Sequence, residues 1–150
     1  MANTNQTGFR PAGVAGNHIV VLRFPIDSSN GTNVFVGDVM ANNAAGSVRP
    51  AAADAGVTVV GICVGLYDSK GVPIGSPGSS VSTKYLASST AGYADVALAL
   101  PDAIFIAQVT TAVAATAIFA SADHVAGTGD TTTARSAHEL NGAALNTEAQ

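Results

Sequence analysis

Charged side chains are what this chain has least of. They make up 11% of its 150 residues, against about 25% in an average globular domain. Small uncharged residues (Ala, Thr, Ser, Gly and Asn) take their place. A surface so poor in Lys and Glu lacks the usual protection against self-association. That points to a component of an assembly, with much of its exterior covered by partners. The six cations Arg10, Arg23, Arg49, Lys70, Lys84 and Arg135 are scattered singly, and the net charge is −4. Binding a phosphate backbone takes several cations on one face, so no nucleic-acid partner is expected.

Cysteine and tryptophan are nearly or wholly missing. A single cysteine, Cys63, excludes an intrachain disulfide. Its place in the apolar run 57–65 makes it a small hydrophobe with an inert thiol. With no Trp and three Tyr, few aromatic platforms are available for stacking on a sugar.

Catalytic spacing is missing too. His18, His124 and His138 have neither a second His at ligand spacing nor a Cys pair, so no metal is expected. Gly75-Ser76-Pro77-Gly78 is not a nucleophile elbow, because Pro stands in the wrong place. The 71–75 segment is not a phosphate loop, since Pro73 removes a backbone donor and no Gly-Lys-Ser/Thr follows. Asp123-His124 reads as a solvated helix end before it reads as a dyad. Gly37-Asp38 reads as a turn at a strand end, while Asp27 and Asp130 read as turn carboxylates bonding local N–H groups. Neither an enzyme activity nor a cofactor is expected.

What the sequence does contain is strand signal. β-Branched and aromatic runs at 18–26, 33–40, 57–67, 93–100 and 103–111 predict strands, with one further short strand at 135–140. Asn30-Gly31 between the first two runs predicts a tight hairpin. The 57–67 run is apolar on both faces, which predicts a central strand, and Gly61 and Gly65 allow close packing or a bulge. The Gly/Ser/Pro-rich stretch 68–80 predicts a long loop. Ala dominates 112–126, which predicts one short α-helix. Residues 103–122 carry no charge, Gly or Pro and have about the length of a bilayer crossing. Their Ala and Thr content, with Gln108 and Ser121, lacks the density of an inserted helix, so the expectation is a soluble protein with no membrane partner. The predicted fold class is mainly β: a compact single-domain barrel or sandwich with one short α-helix. Residues 1–17 form an extended N-terminal arm and 18–150 the β-rich domain.

Several blocks, in order, resemble a family of small tailed-phage capsid decoration (cement) proteins. Thr7-Gly8-Phe9-Arg10-Pro11 resembles the family's N-terminal arm, and Phe24-Pro25-Ile26 with Phe35-Val36-Gly37-Asp38 its first hairpin. The glycine-interrupted run 59–65 is similar to its central strand. Residues 84–93 followed by 101–106, and then 122–133, resemble later family segments. The family usually continues past a segment like 136–140 into another apolar strand; residues 146–150 stand there in this chain, which leaves closure of the sheet open.

The resemblance implies a virion protein on the outer capsid surface that binds the major capsid protein and its own copies. A homotrimer is the favoured arrangement and a homodimer the second. Phe9, Arg10 and Pro11 are the candidate contact residues, with Phe9 filling an apolar pocket and Arg10 meeting a carboxylate; they could equally brace their own domain. The 68–82 loop is a second candidate contact or an outward tip. A head-surface adhesin or carbohydrate-binding module is the alternative function.

Overall fold

The computed structural model describes residues 6–43, 46–52, 57–114, 117 and 120–146. Nine strands follow in order: β1 Arg10–Pro11, β2 Val21–Ile26, β3 Val39–Asn42, β4 Val48–Pro50, β5 Val59–Asp68, β6 Gly92–Leu98, β7 Phe105–Ile106, β8 Ser121–Ala126 and β9 His138–Asn146. Five of them form one antiparallel sheet in the order β2-β6-β5-β3-β4, while β1–β7 and β8–β9 form two-stranded ribbons. The fold is mainly β, as expected. It is an open, sandwich-like arrangement, not a closed barrel, because β2 and β4 are left as sheet edges.

The alternation of side chains along β5 and β6 gives the sheet a core on each face. Cys63, Leu66, Ala94 and Val96 join Ile26, Met40 and Val48 on one side, with Val34 and Leu86 contributed by the loops. Those two loops are tied together by a pair of backbone hydrogen bonds between Val34 and Leu86, at 2.8 and 3.0 Å. Val39, Ala41 and Ile62 join Ala51 on the opposite side, where Phe9 and Phe105 pack against them. A fully buried Val, Leu or Ile contributes about 1.5–3 kcal/mol, so these clusters are the main stabilising term. Cys63 lies in the first core with no exposed surface, and burial pushes its thiol pKa up.

Gly61 allows the central strands to approach. A Cβ there would lie 2.0 Å from the Ala97 carbonyl oxygen, inside the space the β5–β6 ladder occupies. The expected bulge falls two residues on, between Cys63 and Gly65.

The 69–80 loop is tied down by a single carboxylate. Asp68 has no exposed surface. It accepts N–H bonds from Lys70, Val72 and Ser80 at 2.9, 2.9 and 2.8 Å, and the Ser80 hydroxyl at 2.8 Å. The Ser80 N–H does most to lower its pKa, and together the donors outweigh burial and hold it at about 2.

Several expectations need correction. The first two apolar runs do not form a hairpin: β2 pairs with β6, and β3 with β4 and β5. Asn30 turns its side chain onto Thr32 instead, and Gly31 does not adopt a positive φ. The 33–40 run becomes the Val34 bridge, a turn at 35–38 and the start of β3, so the register shifts toward the C-terminus. Only Phe105–Ile106 of the 103–111 run is a strand. The expected helix is absent: residues 121–126 are β8, and no α-helix occurs among the described residues. Residues 115, 116, 118 and 119 of that expectation lie outside them. Alanine favours a helix only weakly, and pairing with β9 gives Ser121, Ala122, His124, Val125 and Ala126 cross-strand partners across one register shift. No helix among the described residues is long and apolar enough to cross a membrane.

Gly61→Ala is expected to cost about 1–3 kcal/mol, because overpacking must push β6 away; urea unfolding of the two proteins measures it. Asp68→Asn should lower the thermal midpoint at neutral pH and loosen the 69–80 loop to proteolysis. Asp68 has a folded pKa below its ordinary 3.8. Its contribution is therefore complete above about pH 4 and lost as pH falls toward 2. The wild-type protein should lose stability over that window, and the Asn variant should lack this component.

Candidate functional site

The described part of the arm lies along its own domain. Phe9 donates its N–H to the Gly37 carbonyl and Ala12 donates to Ile104, both at 2.9 Å. Arg10 and Pro11 pair with Ile106 and Phe105. Phe9 is half-buried in the second core, so it braces this domain. Arg10 is exposed and Pro11 half-buried. Of the three candidate contact residues, Arg10 alone presents its side chain freely outward.

The same ribbon and the residues flanking it carry exposed apolar groups. Val14, Ile104 and Ile106 are 52%, 51% and 45% exposed. Asn17 holds them together: its N–H bonds the Val14 carbonyl, while its side chain both donates to and accepts from Ile104 backbone groups. The 68–82 loop also presents polar surface, but Asp68 fixes it from below.

A second constellation combines residues about a hundred positions apart. Asp38 and His138 are 2% and 4% exposed and form part of the wall of an open cleft of about 620 Å³. Asp38 Oδ2 accepts the Phe35 N–H at 2.8 Å, which closes the 35–38 turn as the sequence reading expected. His138 Nδ1 accepts the Val39 N–H at 3.2 Å, so the neutral ring carries its proton on Nε2. That nitrogen lies 3.8 Å from Asp38 Oδ1, too far for a direct hydrogen bond. Behind His138, the His124 ring stands 5.2 Å away, centroid to centroid. Its buried Nε2 has no hydrogen-bond partner among the described residues. Asp123 is exposed while His124 is half-buried, so the two do not form a dyad, and the helix-end reading of this pair falls with the helix.

Burial decides the charge states here. Desolvation pushes Asp38 up to about 6 against the Ser136 and Phe35 hydrogen bonds. Desolvation and then the neighbouring His124 push His138 down to about 4. His124 is lowered as well, by burial. The cluster can exchange protons and offer a paired donor and acceptor to a ligand. It supplies no nucleophile, and no group of three or more potential metal ligands occurs among the described residues. Sequence reasoning missed it because Asp38, His124 and His138 share no local motif; only the docking of β8–β9 on β3 brings them together. Asp27 and Asp130 do cap their turns, accepting the Ser29 and Thr132 N–H groups at 2.7 and 2.8 Å.

Opposing titrations follow from these shifts. His138 has a folded pKa below its unfolded value, so its contribution to stability is lost as pH falls from 6.5 toward 4. Asp38 has a raised pKa, so its contribution grows as pH falls from 6 toward 3.8. The two oppose each other in the overlap, and wild-type stability should change little there. Asp38→Asn removes one arm; that variant should lose on the order of 2 kcal/mol between pH 6.5 and 4, measured by urea unfolding across the range.

Set beside models of protein families, curated proteins and solved structures, the chain matches none of them.

Proposed function

We propose that this chain is a phage capsid decoration protein, binding the outer face of the expanded head and clamping neighbouring major capsid subunits without covalent chemistry. The reading starts from the ordered blocks that resemble this family. The observation that carries it furthest is the β1–β7 ribbon and its flanks: Ile106 stands exposed opposite Arg10 in the ladder, and Ile104 and Val14 stand exposed just outside the two strands. An apolar strip with a single cation is suited to burial against another protein surface.

The ribbon's rigidity favours this use. Phe9 and Phe105 anchor it from beneath in the second core, so little conformational entropy is lost on docking. In this arrangement Phe9 positions the surface, while Arg10 and the exposed aliphatic side chains make the contact. Interfaces of ordinary size bury roughly 1,200–2,000 Å². Repeated at every capsomer junction, modest single contacts sum to collective resistance against internal pressure. Trimers at the threefold junctions are the favoured arrangement, and the shortage of surface charge lowers the cost of packing copies side by side.

Purified protein should bind expanded capsids that lack it and raise their rupture temperature, read by bound mass and by thermal release of the genome. The double variant Val14→Asp, Ile104→Asp should keep its unfolding midpoint. It should bind about tenfold more weakly, a loss of about 1.4 kcal/mol. Wild-type protein that leaves bound mass and rupture temperature unchanged would refute the clamp.

A further inference from the structure

We infer that the cleft between the 30–33 loop, β4 and the 126–129 segment at the end of β8 is a binding site for a neutral, polyhydroxylated ligand, a saccharide in chemical class. The site is separate from the β1–β7 ribbon and does not depend on the capsid reading.

The floor of the cleft makes the first argument. His138 Nε2 carries a proton, because Nδ1 already accepts from Val39. Asp38 Oδ1 faces it at 3.8 Å. One hydroxyl oxygen can accept from the imidazole and donate to the carboxylate across that gap. Both side chains are more than nine-tenths buried, so they are already desolvated and positioned before a ligand arrives. The backbone fixes them too, through Phe35 and Val39. Buried donors and acceptors that a ligand completes discriminate strongly against ligands lacking the matching group.

The rim makes the second. Thr32, Ser88 and Thr128 are exposed on it, and Asn33 spends its carbonyl oxygen on the Ser88 N–H at 2.9 Å. The amide NH2 of Asn33 remains on the rim. Hydroxyls and amides of this kind match the alternating donors and acceptors of a sugar. Electrostatics then selects against ions. Arg49, exposed at the rim, and Asp38 are of opposite sign, so a charged ligand drawn by one is repelled by the other, and it loses its hydration on entering. An uncharged ligand avoids both penalties. The apolar part of the wall, Pro50, Ala51 and Ala52, offers a small hydrophobic face to the C–H side of a ring.

The test is a titration of the 15N-labelled chain, free of capsids, at neutral pH. The probes are glucose, galactose, mannose, N-acetylglucosamine and their disaccharides, with glucuronate and glucosamine as charged counterparts. At least one neutral sugar should move the amide signals of residues 30–33, 126–129 and 138. The charged counterparts should bind about tenfold more weakly or worse. Thr128→Trp, an exposed change that fills the cleft without touching the buried pair, should abolish the shifts and keep the unfolding midpoint. His138→Gln should weaken binding as well. The inference is overturned if no probe moves those signals, if a charged sugar binds as tightly as its neutral parent, or if Thr128→Trp leaves binding intact. None of these outcomes bears on the capsid experiment, which reads the opposite property, mass bound to a shell.

Discussion

Strand β5 must complete hydrogen-bond ladders with β3 and β6 while burying apolar side chains in both directions. Cys63 and Leu66 enter the core beneath the loops, and Ile62 enters the core beneath the arm and β7. The middle of such a strand is buried on both faces, so both layers must be supplied by other parts of the chain. The 27–36 and 69–90 loops cover one side; Phe9 of the arm, Phe105 of β7 and the segment around Ala51 cover the other. Gly61 sets how closely β5 and β6 approach, and that spacing is transmitted to both cores. With few charges available, this double-sided burial bears most of the stability of the domain.

Burying carboxylates in a chain so poor in charge requires local solutions, and Asp68 and Asp38 show two different ones. Asp68 is surrounded by backbone and hydroxyl donors, stays ionised and serves as the hub of a loop. Asp38 has fewer donors, lies deep beside an imidazole, and its burial favours the neutral form. Donor count separates a structural carboxylate from one poised to exchange a proton or meet a ligand. The contrast makes the cleft floor chemically distinct from the rest of the interior.

The two surfaces of interest have different character. The β1–β7 ribbon is apolar and rigidly backed, and suits burial against a large partner. The cleft is concave, polar and lined by loops from distant parts of the chain, and suits a small ligand. A decoration protein with such a cleft would present a second binding function on the outside of the particle.

Composition and periodicity alone determined the β class, the central place of the 57–67 run, the buried cysteine and the capping roles of Asp27 and Asp130. Those features depend on neighbours one to four residues away, or on burial of a whole run, and such information is local. Pairing partners were decided only in the tertiary structure. β2 bypassed the adjacent run for β6, pairing with it along all six residues and placing Phe24 and Ile26 in the same core as Ala94 and Val96. The 121–126 segment became a strand because β9 was there to pair with it. The Asp38–His138 cleft formed for the same reason: its chemistry lies in side chains that meet only when the ribbon from the end of the chain docks on the sheet from its beginning.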